Sequence, residues 1–276
     1  MDELRPALEL ATDDELEGLT DILFRRQLNP LDYMYAPEPI DVCSQDRDLW
    51  LDSLEERFRF LAADGVTVLR GKTRQVSYRQ VLIQVCRYLK IPYNQSLSTP
   101  DLEAEIFLIL VGRAWQQLPT SERRVLNGRL QQAVSQADIS HQLPASLQQD
   151  PLGLVLKGSG VVAINSVIRP WLMQTVARQF ALHAATYQLA KEAAVQGGLA
   201  VTHQATLQAA RRGVVVSAAR YGTTRTVLAV LGPALWALFF ADLGWRAIAT
   251  NYARVIPVVF TLAQIRLIRS AEYQPA

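Results

Sequence analysis

The stretch RTVLAVLGPALWALFFADLGWRAIATNYARVIPVVFTLAQIRLI, residues 225–268, decides how the rest of the chain is read. It holds two uncharged runs, 16 residues at 226–241 and 11 at 255–265. At about 1.5 Å of rise per residue the longer run reaches roughly 24 Å, short of a hydrocarbon core of about 30 Å. Gly232-Pro233 interrupts it. Proline lacks the amide donor and clashes with the carbonyl four residues back, so a kink or a fresh helix start is expected there, not one straight span. Asp242 and Arg246, spaced i,i+4 with the acid first, can neutralise each other and lengthen the usable run to 226–253. A central Asp or Arg costs about 2.5–3.5 kcal/mol in a bilayer and much less near its rim. Two readings follow. The stretch meets lipid as a kinked hairpin or interfacial helix, or it forms a buried central helix pair in a soluble bundle, the commoner fate of apolar runs of about 10–16 residues.

Charge is shared unevenly around that stretch. Residues 151–276 carry 12 Lys or Arg against three acids (Glu192, Asp242, Glu272), a net of +9, whereas residues 1–150 carry 16 against 23, a net of −7. The formal total of +2 over 276 residues therefore conceals a dipolar chain. A basic apolar half can face anionic lipid, an acidic protein partner, nucleic acid or its own acidic front. Nucleic acid is not expected, because Arg211, Arg212, Arg220 and Arg225 recur without interleaved aromatic residues on which bases could stack.

Two cysteines, Cys43 and Cys86, with no CxxC or Cys/His cluster argue against a disulfide scaffold and a structural zinc, and fit a reducing cytosol. The start, MDELRPALELATDDELEG, is acidic and periodic, where a secretory or transit signal is basic and then apolar. A cytoplasmic location, peripherally or partly membrane-associated, is expected.

The front half reads as at least five amphipathic helices. Thr12 with Glu15 predicts a capping box, with Leu16, Leu19 and Leu23 on one face behind it. Three prolines within 29–44 read as an extended connection. Trp50, Leu54, Phe58 and Leu61 give the next face, with Gly65 placed as the glycine that ends it. Gly71-Lys72-Thr73 looks like the end of a phosphate loop, but Val66 stands where that loop needs glycine, so no nucleotide site is expected.

Tyr78, Leu82, Val85 and Leu89 predict a helix over 76–90. The following helix is capped either by Ser98 with Asp101 or by Thr99 before Pro100. Thr120 reads as the cap of a polar helix whose buried edge is Val125, Leu126, Leu130 and Val134. The polar segment at 138–144 and Asp150-Pro151 mark a boundary between an acidic amphipathic helical domain, 1–145, and a basic, apolar, Ala/Gly-rich helical domain, 151–276. In the latter, Leu172, Val176 and Phe180 keep the helical period, kinked or restarted at Pro170. The expected fold is an all-α, multi-helix bundle.

Local signatures of catalysis are missing. His141, His183 and His203 show no HExxH spacing, acids are scarce after residue 150, and GxSxG and dinucleotide fingerprints are absent. No catalytic residue, cofactor or metal site is assigned on these grounds.

Three pieces of the chain resemble the YaaW family, bacterial proteins of unestablished function: residues 8–21 (LELATDDELEGLTD), the middle helices with Tyr78-Arg79-x-Val81-Leu82 and Ser98-Thr99-x-x-Leu102-Glu103, and Tyr252-x-x-x-Ile256-Pro257 followed by Ile265 and Leu267-Ile268. The family pattern places arginine directly after that tyrosine. Here Ala253 follows and Arg254 comes one later, about 100° further round a helix. The middle helices are also similar to the helical domain of ubiquinol-cytochrome c chaperones. The latter resemblance implies a non-enzymatic, chaperone-like binding or assembly factor acting at a membrane surface or membrane-protein complex. Arg225, Trp236, Trp245, Arg246, Tyr252 and Arg254 are the expected membrane or partner contacts, the aromatics at an interface and the arginines facing headgroups or an acidic partner. The alternatives are a membrane-inserting helical protein and a soluble helical enzyme with a pocket between the halves.

Overall fold

Polar residues at the helix ends set the boundaries of the elements. The computed structural model describes residues 2–25, 37–136, 168–195 and 251–269, with side chains of the third stretch over 169–183. All regular structure among the described residues is helical, with no strand.

The first elements are α1 (Leu4–Glu9) and α2 (Asp13–Phe24). The capping box of α2 forms as its spacing predicts: Thr12 N donates to Glu15 Oε2 at 2.8 Å, and Glu15 N donates to Thr12 Oγ1 at 3.4 Å. Leu16, Leu19 and Leu23 are buried. The proline-rich connection is not wholly extended, because α3 (Pro39–Cys43) starts with proline at its first position, where the missing donor has no helical partner to lose. The rest of that connection, 26–36, lies outside the described residues.

Helix α4 (Arg47–Ala62) buries Trp50, Leu54, Phe58 and Leu61. It ends at Ala63, and Gly65, expected to terminate it, instead opens the short α5 (Gly65–Leu69). Asp64 causes the restart, its carboxylate accepting from Thr67 N at 2.8 Å as an N-cap. A 3₁₀ turn (Thr73–Gln75) leads to α6 (Tyr78–Leu89). Ser77 and Gln80 make a second capping box there.

Of the two caps open for α7 (Thr99–Gln117), Ser98 acts, its hydroxyl accepting from Asp101 N at 3.2 Å. Helix α8 (Thr120–Ser135) corrects two expectations. Thr120 is its first helical residue with no side-chain cap bond, and Val125 is exposed while Leu126, Leu130 and Val134 are buried. Two further helices among the described residues are α9 (Ile168–Val195), with Pro170 in its first turn, and α10 (Tyr252–Arg269).

Two compact units result. The first comprises Met1–Ile109 with Leu238–Arg266, the second Leu110–Ala237 with Leu267–Ala276. The polar boundary expected at 138–151 lies outside the described residues. In the second unit α8 contacts α9, whose Leu172, Val176 and Ala177 are buried, and His183 of α9 meets Glu122 of α8 at 2.9 Å.

Helix α10 is a buried element of the first unit. Every residue from 254 to 267 is buried, which is the pattern of a core helix, not of a surface helix with one wet face. Phe260 stacks on Phe107 of α7 with centroids 5.0 Å apart. Each large apolar side chain so enclosed contributes about 1.5–3 kcal/mol relative to exposure. Pro257 sits inside α10, and the carbonyl deprived of its donor belongs to Ala253, which is exposed and open to water.

Candidate functional site

Asn251 sets the start of α10. Its amide donates to Leu61 O at 3.0 Å, and its carbonyl accepts from Arg254 N and Val255 N, both at 3.0 Å. Tyr252, next in line, lays its ring on Tyr88 of α6, with centroids 3.9 Å apart and 16° between planes. Of the expected contact residues, Tyr252 is thus half-buried in an aromatic stack. Arg254 is 1% exposed. Its Nη1 donates to Leu23 O at 3.2 Å and its Nη2 to Arg25 O at 2.8 Å, so the guanidinium binds the carboxyl end of α2, where the helix dipole is negative. Arg57 Nε joins it on Leu23 O at 3.1 Å. The other four expected contacts, Arg225, Trp236, Trp245 and Arg246, lie outside the described residues.

Near the far end of the helix, Arg266 makes a second buried attachment. Its Nε donates to Glu103 Oε2 of α7 at 2.6 Å and its Nη2 to Glu3 O at 2.9 Å. The other carboxylate oxygen of Glu103 accepts from the hydroxyl of Tyr78, the first residue of α6. Tyr78 N is itself bound by Asp2 Oδ1 at 3.2 Å, and Arg59 of α4 pairs with Asp2 at 2.8 Å. One cluster therefore ties the N-terminal segment, α4, α6, α7 and α10.

Burial governs the chemistry of this cluster. It raises the Glu103 carboxyl above its ordinary range, against the opposing pull of Arg266 and the Tyr78 hydroxyl. It pushes the Tyr78 phenol well up, reinforced by the charge of Glu103, so Tyr78 stays a protonated donor at neutral pH. Glu103 and Tyr78 are each 1% exposed. Both side chains are enclosed and engaged with α6, α7 and α10, an arrangement suited to fastening helices.

The sequence places Tyr78 on a helical face and Glu103 within the YaaW resemblance, but it joins neither to Arg266. The available signal was a lone acid, Glu103, in the apolar face of α7 and a lone cation, Arg266, in an otherwise apolar run, since a buried charge requires a partner. Among the described residues no group of three His, Cys, Asp or Glu side chains is placed to hold a metal ion, and no helix is long and apolar enough to cross a membrane. No family model, curated protein or solved structure matches the chain.

Proposed function

We propose that this protein is a non-enzymatic binding or assembly factor, of the kind the resemblance of its middle helices to ubiquinol-cytochrome c chaperones implies, working at a membrane surface or on a membrane-protein complex. One observation carries the reading: the Tyr78–Glu103–Arg266 cluster is sealed and spent on holding α10, so its ionisable groups serve architecture and the exposed surface is left to do the work. The charge pattern supports it too, because the excess of cations after residue 150 suits anionic headgroups or an acidic partner. With Arg254 and 255–267 enclosed, the contact assignment falls on Arg225, Trp236, Trp245 and Arg246, together with the uncharged run at 226–241. Membrane fractionation tests the proposal. Release by high salt is the expected result. Retention through a carbonate wash transfers the protein to the membrane-inserting class, and a chain recovered wholly in the soluble fraction at low salt overturns the reading.

A further inference from the structure

Helix α4 delivers the chain to an exposed tip, 65–72, whose apolar Val66 and Leu69 face water. Leu69 is 89% exposed and Val66 56% exposed. Arg70 and Lys72 stand beside them, both exposed and without an ion-pair partner among the described residues. Arg74, next along, is tied to Glu56 at 3.2 Å.

The tip is built rigidly. Asp64 caps its helix at one end, accepting from Thr67 N at 2.8 Å and from the Thr67 hydroxyl at 3.0 Å. At the other end Lys72 N donates to Thr67 O at 3.1 Å and Gly71 N to Val68 O at 3.0 Å, a Schellman closure. That closure needs a left-handed residue, and Gly71, at φ 65°, supplies it. A five-residue helix capped at both ends presents Val66 and Leu69 without an ordering cost on binding.

We infer that the 65–72 tip is a docking site for an anionic lipid surface, with Val66 and Leu69 entering the headgroup layer and Arg70 and Lys72 meeting its phosphates. The inference rests on the membrane reading proposed above and names an element of contact for it. Charge complementarity selects the occupant. Over 64–74 three cations, Arg70, Lys72 and Arg74, stand against one acid, Asp64, whose carboxylate is engaged by Thr67, while Glu56 is paired with Arg74. Asp46 and Asp48 lie at the opposite end of α4, whose 16 residues span about 24 Å, some three Debye lengths at physiological salt. The size of the tip selects lipid over protein. Two exposed apolar side chains offer far less than the roughly 800 Å² per partner of a stable protein interface, whereas interfacial binding accumulates from a few apolar groups and cations.

Flotation of the full chain with vesicles of phosphatidylcholine containing about one-third phosphatidylserine, against pure phosphatidylcholine, tests it, with unchanged circular dichroism as the folding control. Wild type is expected to float with the anionic vesicles. Arg70→Gln/Lys72→Gln should weaken binding about 25-fold, some fivefold per charge, and Leu69→Gln about tenfold. Variants that float like wild type overturn the tip while leaving the membrane reading intact. Wild type that binds neither vesicle overturns the tip as a lipid site and leaves the proposed function only its membrane-protein-complex form. Equal binding to both vesicles overturns the anionic assignment. Retention on immobilised polyglutamate, lost in Arg70→Gln/Lys72→Gln and without any flotation, makes the occupant an acidic protein surface and overturns the proposal as well.

Discussion

Replacing Arg266 by methionine removes the guanidinium from a carboxylate that is 1% exposed, and the consequence can be followed quantitatively. The variant loses the 2.6 Å bond to Glu103 and the 2.9 Å bond to Glu3 O, leaving Glu103 with the Tyr78 hydroxyl as the only other partner in its cluster. Stranding one member of a buried pair costs about 3–5 kcal/mol, a large share of the 5–15 kcal/mol that typically separates folded from unfolded chains. If α7 and α10 open together, their amides should exchange with deuterium about 10²–10⁴ times faster in Arg266→Met at pH 7.

Two further results must accompany that loss. Adding Glu103→Gln should restore most of the protection, because glutamine removes the stranded charge while still accepting from Tyr78. The penalty should also shrink as pH falls. A carboxyl raised by burial, and raised further without Arg266, keeps its proton when folded over a range where the unfolded chain has lost it. Stability is therefore lost as pH rises through that range and regained towards the ordinary carboxyl value near 4.5. A penalty below about 1 kcal/mol, or a double variant no better than the single one, refutes the account of α10 as a helix fastened by this pair.

Two other outcomes follow from the buried titratable groups. Burial, with Glu105 adding to it, pushes the Cys86 thiol up to about 11, and burial also raises that of the half-buried Cys43. A thiol reagent at pH 8 should label native protein at Cys43 and reach Cys86 only after unfolding, as mapped by mass spectrometry; equal labelling contradicts this. Burial lowers His183, against the pull of Glu122 and together with Arg129, so its ring should titrate below 6.5 by NMR and lower still in Glu122→Gln. The unfolded chain then binds the proton first, and this contribution to stability is present above about 6.5 and lost as pH falls through the interval below. A midpoint above 6.5 refutes it.

What the sequence determined by itself is local. The capping box at Thr12 involves partners three residues apart, so its spacing is a direct statement about geometry, whereas the choice between Ser98 and Thr99 as the cap of α7 was made only in the folded chain. The faces Leu16-Leu19-Leu23 and Trp50-Leu54-Phe58-Leu61 are buried for the same reason, since the 3.6-residue period is a property of the helix and not of its surroundings. Local reasoning failed where two local signals competed. Gly65 followed a helix as a terminator should, but Asp64 captured the Thr67 amide and opened another helix. Val125 followed the apolar edge of α8, yet which residues of that edge are covered depends on α9.

Tertiary structure alone decided the role of α10. The apolarity of 255–265 admits a lipid-facing or a protein-facing helix, the latter the commoner for a run of that length, because hydrophobicity records aversion to water and not the identity of the alternative solvent. The choice was made by contacts that no spacing announces. Arg254 binds carbonyls of residues 23 and 25, and Arg266 finds a carboxylate at residue 103, partners more than 160 positions away along the chain. A charge inside an apolar run demands a counter-charge or carbonyl cage, but only folding specifies where along the chain it lies.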